Sequence, residues 1–277
     1  MKQRSMIYLP LMLFVLAFTW SETFAQEVSA ERKAVDVNID VGGYTLHFKH
    51  TPGVLPAIVF ESGGGMYSAQ WLMTQKELGS KIKNALVSYD RAGHWKSELP
   101  DTEYDIEVEM AALHTGLQEL GVADEVFLAG HSYASFLMTM YAHKYPDTVK
   151  SVLYIDPNTI AFEDHRTESG MKREVDPDEV HKTKHEKATA RLLKAFPNTL
   201  DTMRSVPLPQ CPFLVISAGK KWLETEEDHN AFTQAHKVLA KASGSPLIIA
   251  EESDHFVPRR ARGLVISTIL EMLTNLD

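Results

Sequence analysis

The chain alternates between two kinds of segment along most of its length, and this alternation limits the folds open to it. Short, continuously apolar runs occur at 57–60, 85–89, 126–128, 152–155, 213–216 and 247–249. Runs of this length suit strands that are covered on both faces. Segments with helical spacing of apolar residues separate them, at 70–82, 104–120, 133–145, 226–241 and 260–273. Strand and helix in alternation predict a parallel sheet with helices on both sides.

Two further segments depart from this rhythm. Polar and apolar positions alternate in residues 34–41 and again in 44–50, on either side of Gly42-Gly43. This pattern predicts a β-hairpin with one solvent-exposed face. Residues 160–209 contain no strand-like run, but their apolar residues have helical spacing and need a surface to pack on. The predicted fold class is therefore α/β: a mostly parallel central sheet of about eight strands flanked by helices, with a helical cap inserted after the sixth strand.

The N-terminal residues have the layout of a secretory signal. Lys2 and Arg4 precede an apolar run over 7–18, and a polar stretch then leads to Ala25 before Gln26. The apolar run is short for crossing a bilayer, although an uncleaved anchor is the alternative. We therefore expect a signal peptide at 1–25, a secreted or periplasmic protein, and no stable membrane insertion after cleavage. The core is expected at 26–159 and 210–277, with the cap at 160–209.

The charge of the chain bears on its partners. Acidic residues outnumber basic ones by 37 to 28, a net charge of −9. An acidic surface argues against nucleic acid or anionic membrane as a partner. Cys211 is the only cysteine, so no internal disulfide can form. A small-molecule substrate is the expected partner.

A serine stands where the apolar run at 126–128 gives way to a helical pattern. Ser132 has small residues two positions before and after it, Gly130 and Ala134. A tight strand-to-helix turn of this kind pushes a nucleophile out of the backbone and leaves the N–H of Tyr133 free. An ordinary serine at a helix N-cap is the alternative.

Other chemistry-bearing residues follow the remaining apolar runs. Three glycines, 63–65, come after the run at 57–60, the third predicted strand, and let backbone amides bend inward. A phosphate-binding loop would need Lys-Ser/Thr next, whereas Met66-Tyr67 stands there. His255 follows the last run. Asp156 comes directly after the run at 152–155 and precedes a proline.

The order of elements, the turn at 130–134 and these loops resemble the α/β-hydrolase superfamily with a helical cap, over about residues 34–276. The resemblance implies that Ser132 is the nucleophile and that the N–H of Tyr133 is one oxyanion donor. The second donor is implied to be the N–H of Gly64, with Gly65 or Met66 as alternatives. A turn at 88–97 resembles one whose role in the family is mostly structural, which disfavours Asp90 as a catalytic group.

The same resemblance implies that His255 is the general base. The orienting acid is less determined, because some members carry it after the sixth strand and many carry it after the seventh. We favour Asp156. The alternatives are Glu224, Glu226 and Asp228.

The function implied is that of a serine hydrolase cleaving a carboxylic ester of a small or medium acyl group through an acyl-enzyme, with no cofactor and no metal. An aminopeptidase similar to proline iminopeptidase and a non-catalytic ligand-binding protein are the alternatives. His181 and His185 have a spacing that could bind zinc with Glu186 or His165, but solvated helices collect such spacings by chance. Met171, Trp222 and Tyr67 are candidates for an apolar pocket lining or for ordinary packing.

Overall fold

The computed structural model describes residues 32–171 and 181–276 of the 277-residue chain. The secretory segment predicted at 1–25 lies outside the described residues. Among the helices of the two described ranges, none is both long and apolar enough to cross a lipid bilayer.

An eight-stranded sheet occupies the centre of the protein. Its strands are β1 (Val35–Asp40), β2 (Thr45–Thr51), β3 (Val54–Glu61), β4 (Asn84–Asp90), β5 (Val126–His131), β6 (Val149–Ile155), β7 (Phe213–Ala218) and β8 (Ile248–Ala250). They lie in the order β1-β2-β4-β3-β5-β6-β7-β8. β2 pairs antiparallel with β1 and with β4, and the other neighbouring pairs are parallel. The predicted mostly parallel sheet is confirmed.

Helices link the strands and cover both faces of the sheet, as predicted. They are α1 (Leu72–Gly79), α2 (Ile106–Glu119), α3 (Ala134–Lys144), α4 (Ile160–Ser169), α5 (Lys184–Lys194), α6 (Phe196–Met203), α7 (Glu226–Ala242), α8 (Val257–Arg260) and α9 (Arg262–Thr274), with a 3₁₀ turn at Ser68–Trp71. On one face Leu78 of α1 and Ile269 of α9 pack on the sheet. On the other face Met110 of α2 and Leu137 of α3 do the same.

Burial explains why the strands differ in sequence. All six residues of β5 are buried, because helices cover both of its faces, and its run is correspondingly apolar. In β1, at the edge of the sheet, exposed residues predominate and Ile39 is buried. Continuous and alternating apolar patterns therefore correspond to central and edge strands.

Three of the helices, α4, α5 and α6, lie between β6 and β7, the place predicted for the cap. Thr183 and Glu186 form a capping box that starts α5. Arg191 of α5 donates hydrogen bonds to the carbonyls of Thr102 and Glu103, 2.6 Å and 2.8 Å away, and so ties this helix to the loop before α2. The apolar residues with helical spacing pack against the core of the protein: Leu192, Phe196 and Met203 are buried in its main cluster. The domain boundaries at 160 and 209 stay a prediction.

The topology decides where loops meet. β3, β5, β6, β7 and β8 are parallel, so their carboxyl ends lie along the same edge of the sheet. The loops that follow them carry the candidate residues named above.

Candidate active site

The turn between β5 and α3 presents the hydroxyl of Ser132. The backbone of Ser132 has φ of 58°, a left-handed conformation that costs a serine about 1–3 kcal/mol. Hydrogen bonds to the end of β6 and to the loop after it hold it there: the N–H of Ser132 donates to the carbonyl of Ile155 at 3.0 Å, and the N–H of Asn158 donates to the carbonyl of Ser132 at 3.1 Å. The strain is thus held by the neighbouring strand.

A small residue at position 130 is required by the packing around this turn. A Cβ built on Gly130 would lie 2.7 Å from the Sδ of Met138 and 2.8 Å from the Cβ of Ala134. These contacts are too close for real side chains, so strand and helix can approach this closely only with glycine there. The methyl group of Ala134 fits in this turn because Gly130, which faces it, has no side chain.

The structure brings Ser132, His255 and Asp156 into one hydrogen-bonded series. The Oγ of Ser132 lies 3.0 Å from the Nε2 of His255. The Nδ1 of His255 lies 2.6 Å from the Oδ2 of Asp156. With the imidazole donating from Nδ1 to the carboxylate, its Nε2 is free to accept the proton of the serine hydroxyl.

Asp156 is fully buried and remains a carboxylate. Burial alone would raise its pKa, but the hydrogen bond from His255, the proximity of His236 and the N–H of Ala218 together hold the pKa below its ordinary value. The N–H of Ala218 donates to its Oδ1 at 2.8 Å. A charged acceptor therefore faces the Nδ1 of His255.

The alternative acids have other partners. Glu226 accepts a hydrogen bond from the Nζ of Lys221 at 2.9 Å. Asp228 lies 2.8 Å from the Nε2 of His165 and also accepts from the hydroxyl of Thr225.

Glu224 is exposed. Of the four carboxylates that the sequence leaves open, the structure brings Asp156 to His255.

The loop after β3 brings Gly64 beside Tyr133. Gly63 and Met66 close a turn, with the N–H of Met66 donating to the carbonyl of Gly63 at 3.0 Å. A Cβ built on Gly64 would lie 3.5 Å from the Cβ of Tyr133. The N–H groups of Gly64 and Tyr133 enter none of the loop and turn hydrogen bonds among the described residues. Both are therefore available to a ligand.

The two alternative oxyanion donors have different surroundings. The N–H of Met66 is already used inside the turn. Gly65 has φ of 70° and its α-carbon faces Thr189 of the cap helix α5.

The other predicted residues lie away from this series. Asp90 accepts hydrogen bonds from the N–H of Ser68 at 3.0 Å and lies 2.8 Å from the Nδ1 of His47, so it holds loops together. Glu186 serves the cap of α5, and the ring of His185 packs edge-on against His94. Within the described parts of the chain, no group of three or more His, Cys, Asp or Glu side chains is placed to hold a metal ion.

Trp222, predicted as a pocket lining or as ordinary packing, lies beside the series, whereas the nearby Arg91 and Glu61 were assigned no role from the sequence. The ring of Trp222 stacks on His255 with centroids 4.2 Å apart. Arg91 is buried beneath the glycine loop and contacts Glu61. The one available signal for Glu61 is a charge at the end of an apolar run.

Comparison with known proteins agrees with this fold. The sequence pattern of the alpha/beta hydrolase family matches residues 58–267. The chain belongs to the alpha/beta hydrolase family. The matched range includes the strand-to-helix turn, the cap segment and the loop after β8, so every residue of the hydrogen-bonded series lies inside it.

Relatives of this alpha/beta hydrolase include lipid-cleaving enzymes. Over 99 residues it is 30% identical to the (lyso)-N-acylphosphatidylethanolamine lipase of Bos taurus, an alignment that covers 34% of this chain and 28% of the lipase. The chain spans less than half the length of the curated relatives it matches.

Solved structures resemble this alpha/beta hydrolase over most of its length. A membrane phospholipase A, described as a bacterial virulence factor, has a TM-score of 0.63 at 16% identity and covers 95% of this chain and 93% of its own. The epoxide hydrolase CorEH has a TM-score of 0.59 at 15% identity and covers 88% of this chain and 100% of its own. These likenesses show the fold alone.

Proposed function

We propose that the protein is an exported serine hydrolase that cleaves carboxylic esters of small or medium acyl groups through an acyl-enzyme. The observation that carries the proposal is the series from the hydroxyl of Ser132 through the imidazole of His255 to the buried carboxylate of Asp156. Its export rests on the secretory pattern at 1–25.

The first half of the reaction forms the acyl-enzyme. The Oγ of Ser132 attacks the carbonyl carbon of the ester while the Nε2 of His255 takes its proton. The carboxylate of Asp156 stabilises the imidazolium that forms. The N–H groups of Gly64 and Tyr133 bind the oxygen on which negative charge develops. His255 then gives the proton to the leaving alcohol, and the acyl group stays on Ser132.

The second half repeats this chemistry with water. His255 removes a proton from water, which attacks the acyl carbon, and the same two N–H groups bind the oxyanion again. His255 returns the proton to Ser132 as the carboxylic acid leaves.

The surroundings of His255 support an apolar acyl group. The half-buried indole of Trp222 stacks on its ring and offers an apolar surface there, while Phe162 and Phe232 are fully buried behind it and support the indole. The lipase and phospholipase among the similar proteins are also ester-cleaving by their names. Epoxide hydrolase chemistry does not fit this chain because, in the family, it uses a carboxylate nucleophile where this chain has Ser132.

A fluorophosphonate probe tests the nucleophile, since it phosphonylates an activated serine. We expect the probe to label the mature protein and to leave the Ser132→Ala variant unlabelled. Ser267→Ala is the matched control, because its hydroxyl lies on the exposed side of α9 and its loss leaves labelling unchanged. A folded wild-type protein that takes up no label would contradict the proposal and favour a ligand-binding protein.

The substrate class is tested with two sets of chromogenic compounds. Hydrolysis of p-nitrophenyl esters, from acetate through octanoate, is expected, with a preference among the shorter or middle chains. Aminoacyl-naphthylamides are expected to be poor substrates. The reverse preference would support the aminopeptidase alternative instead.

A further inference from the structure

A fully buried guanidinium lies directly under the glycine loop. Arg91 follows β4 and is 2% exposed. Its Nη1 donates to the Oε1 of Glu61 at 2.6 Å and to the carbonyl of Ser62 at 2.5 Å. Its Nη2 donates to the carbonyl of Gly63 at 2.6 Å. The side chain thus holds two successive peptide groups of the loop that contains Gly64.

Glu61 balances the charge of Arg91. It is the last residue of β3, is 3% exposed, and accepts a further hydrogen bond from the hydroxyl of Tyr89 at 2.5 Å. A buried ion pair gains little stability over an apolar pair of similar volume, because both charges lose their hydration. Stability alone therefore gives a weak reason for placing this pair beneath the loop.

The peptide geometry links the guanidinium to the candidate oxyanion site. In a trans peptide the carbonyl and the following N–H point in opposite directions. Because the carbonyl of Gly63 faces Arg91, the N–H of Gly64 is turned away from Arg91. Gly64 is also the residue whose α-carbon faces Tyr133, the source of the other free N–H.

The preceding peptide, between Ser62 and Gly63, is held in the same way. The carbonyl of Ser62 faces Arg91, and the N–H of Gly63 donates to the Oε1 of Gln70 at 3.0 Å. Position 63 is also closely packed, because a Cβ there would lie 2.9 Å from the Nδ1 of His131. The loop is therefore held by Arg91 at two of its carbonyls and by Gln70 at one of its N–H groups.

We propose that Arg91, held by Glu61, is a positioning residue that orients the Gly63–Gly64 peptide so that its N–H serves as an oxyanion donor. This inference rests on the proposed function. It assigns the second donor to Gly64 and gives the buried ion pair a role in the reaction rather than in the core.

Arg91→Lys is the direct test. An ammonium keeps the charge opposite Glu61 but cannot reproduce the planar fork that reaches the carboxylate and both carbonyls. We expect kcat on a p-nitrophenyl ester to fall by about 10- to 100-fold, less than the ~10²–10³-fold loss of a whole oxyanion donor, with KM changed by no more than about threefold. Affinity for a boronic acid that mimics the tetrahedral intermediate should fall in parallel with kcat/KM.

Arg32→Lys is the matched control. Arg32 also donates to several backbone carbonyls, those of Pro52, Ile82, Lys83 and Asn84, but it lies at the opposite ends of β3 and β4. This variant is expected to keep the wild-type kcat. A wild-type kcat in Arg91→Lys, or an equal loss of kcat in both variants, would overturn the positioning role.

A second variant covers the case in which Arg91→Lys does not fold. Replacing Glu61 and Arg91 together by glutamine removes both charges and leaves no unpaired carboxylate. It is expected to show the same fall in kcat with KM retained, and a wild-type kcat would overturn the proposal.

A crystal structure of either variant separates this inference from the proposed function. We expect the Gly63–Gly64 peptide to rotate or to lose its single orientation. An unchanged orientation of this peptide, or an unchanged kcat, would refute the positioning role alone, whereas a wild-type protein without turnover or labelling would refute the hydrolase assignment.

Discussion

The indole ring of Trp222 lies on the imidazole of His255, with centroids 4.2 Å apart and 23° between the planes. Phe232 packs edge-on against the indole from another side, at 5.2 Å between centroids. An aromatic face attracts a cation. In the proposed reaction, the indole keeps the imidazole facing Ser132, and its aromatic face attracts the positive charge that the ring carries after it takes the serine proton.

This stacking predicts unequal effects for two substitutions. Trp222→Ala should lower kcat by roughly 2- to 30-fold, which corresponds to a cation–π contribution of about 0.5–2 kcal/mol. Trp222→Phe keeps an aromatic face and should retain most of the activity. Steady-state kinetics on one ester checks both variants, and equal losses in the two would argue against a role for the aromatic face.

The hydroxyl and the imidazole are expected to act as one unit. Ser132→Ala and His255→Ala should each lower kcat on the order of 10⁴-fold or more, because either one removes the nucleophile's activation. The double variant should be no worse than the single ones. Losses that multiply in the double variant would mean that the two groups act independently.

The choice of acid can be tested by amide substitution. Asp156→Asn leaves the shape of the site unchanged but removes the charge that faces His255, so kcat should fall by about 10³- to 10⁴-fold. Glu224→Gln alters an exposed side chain and should leave kcat within about twofold of wild type. If Glu224→Gln is the damaging substitution, the acid is supplied by the loop after β7.

Local pattern was enough to predict the fold, because the period of apolar residues is a property of neighbouring positions. It could not give the strand order, which depends on contacts between distant segments. Strands β6 and β7 are neighbours in the sheet, so the loops that follow them begin side by side, and the sequence favoured Asp156 while Glu226 stayed an alternative. What separates them is specific: Lys221 pairs with Glu226, while the backbone of Asp156 has φ of 45° and its carboxylate meets His255.

The pair beneath the glycine loop was missed for a related reason. Phe60 of β3 is paired with Ser88 of β4, which brings the ends of the two strands together and with them Glu61 and Arg91. The sequence shows two opposite charges 30 positions apart, and nothing local connects them.

The close approach of β5 and α3 predicts a cost for enlarging Gly130. In Gly130→Ala the end of the Met138 side chain can move, but the Cβ of Ala134, 2.8 Å away, is fixed on the helix. We expect the free energy of unfolding to drop by about 1–3 kcal/mol and kcat to fall as Ser132 shifts.

Gly263→Ala is the control for this substitution, since nothing lies within 4 Å of a Cβ at that position of α9. It should leave kcat unchanged and raise stability by up to about 1 kcal/mol. Urea unfolding measures both variants. Equal stabilities would show that the turn tolerates a methyl group at position 130.

The lowered pKa of the buried His94 predicts that this residue makes the protein less stable in mild acid. Burial, with Arg91 and His185 nearby, lowers the pKa of His94 to about 3, although Asp90 opposes the shift. The imidazole of an unfolded chain has a pKa of about 6.5. Between these two values the unfolded chain binds a proton that the folded protein does not, so the free energy of unfolding falls as the pH falls through this window.

His94→Gln removes this proton from the balance. Between pH 6 and pH 5, where the imidazole of the unfolded chain is mostly protonated, the slope of the unfolding free energy against pH should decrease by about 1 kcal/mol per pH unit relative to wild type, and other groups contribute equally to both proteins. The comparison uses slopes, so a constant loss of stability in the variant does not affect it. Urea unfolding at closely spaced pH values gives both slopes, and identical slopes would mean that His94 takes up its proton in the folded protein as readily as in the unfolded chain.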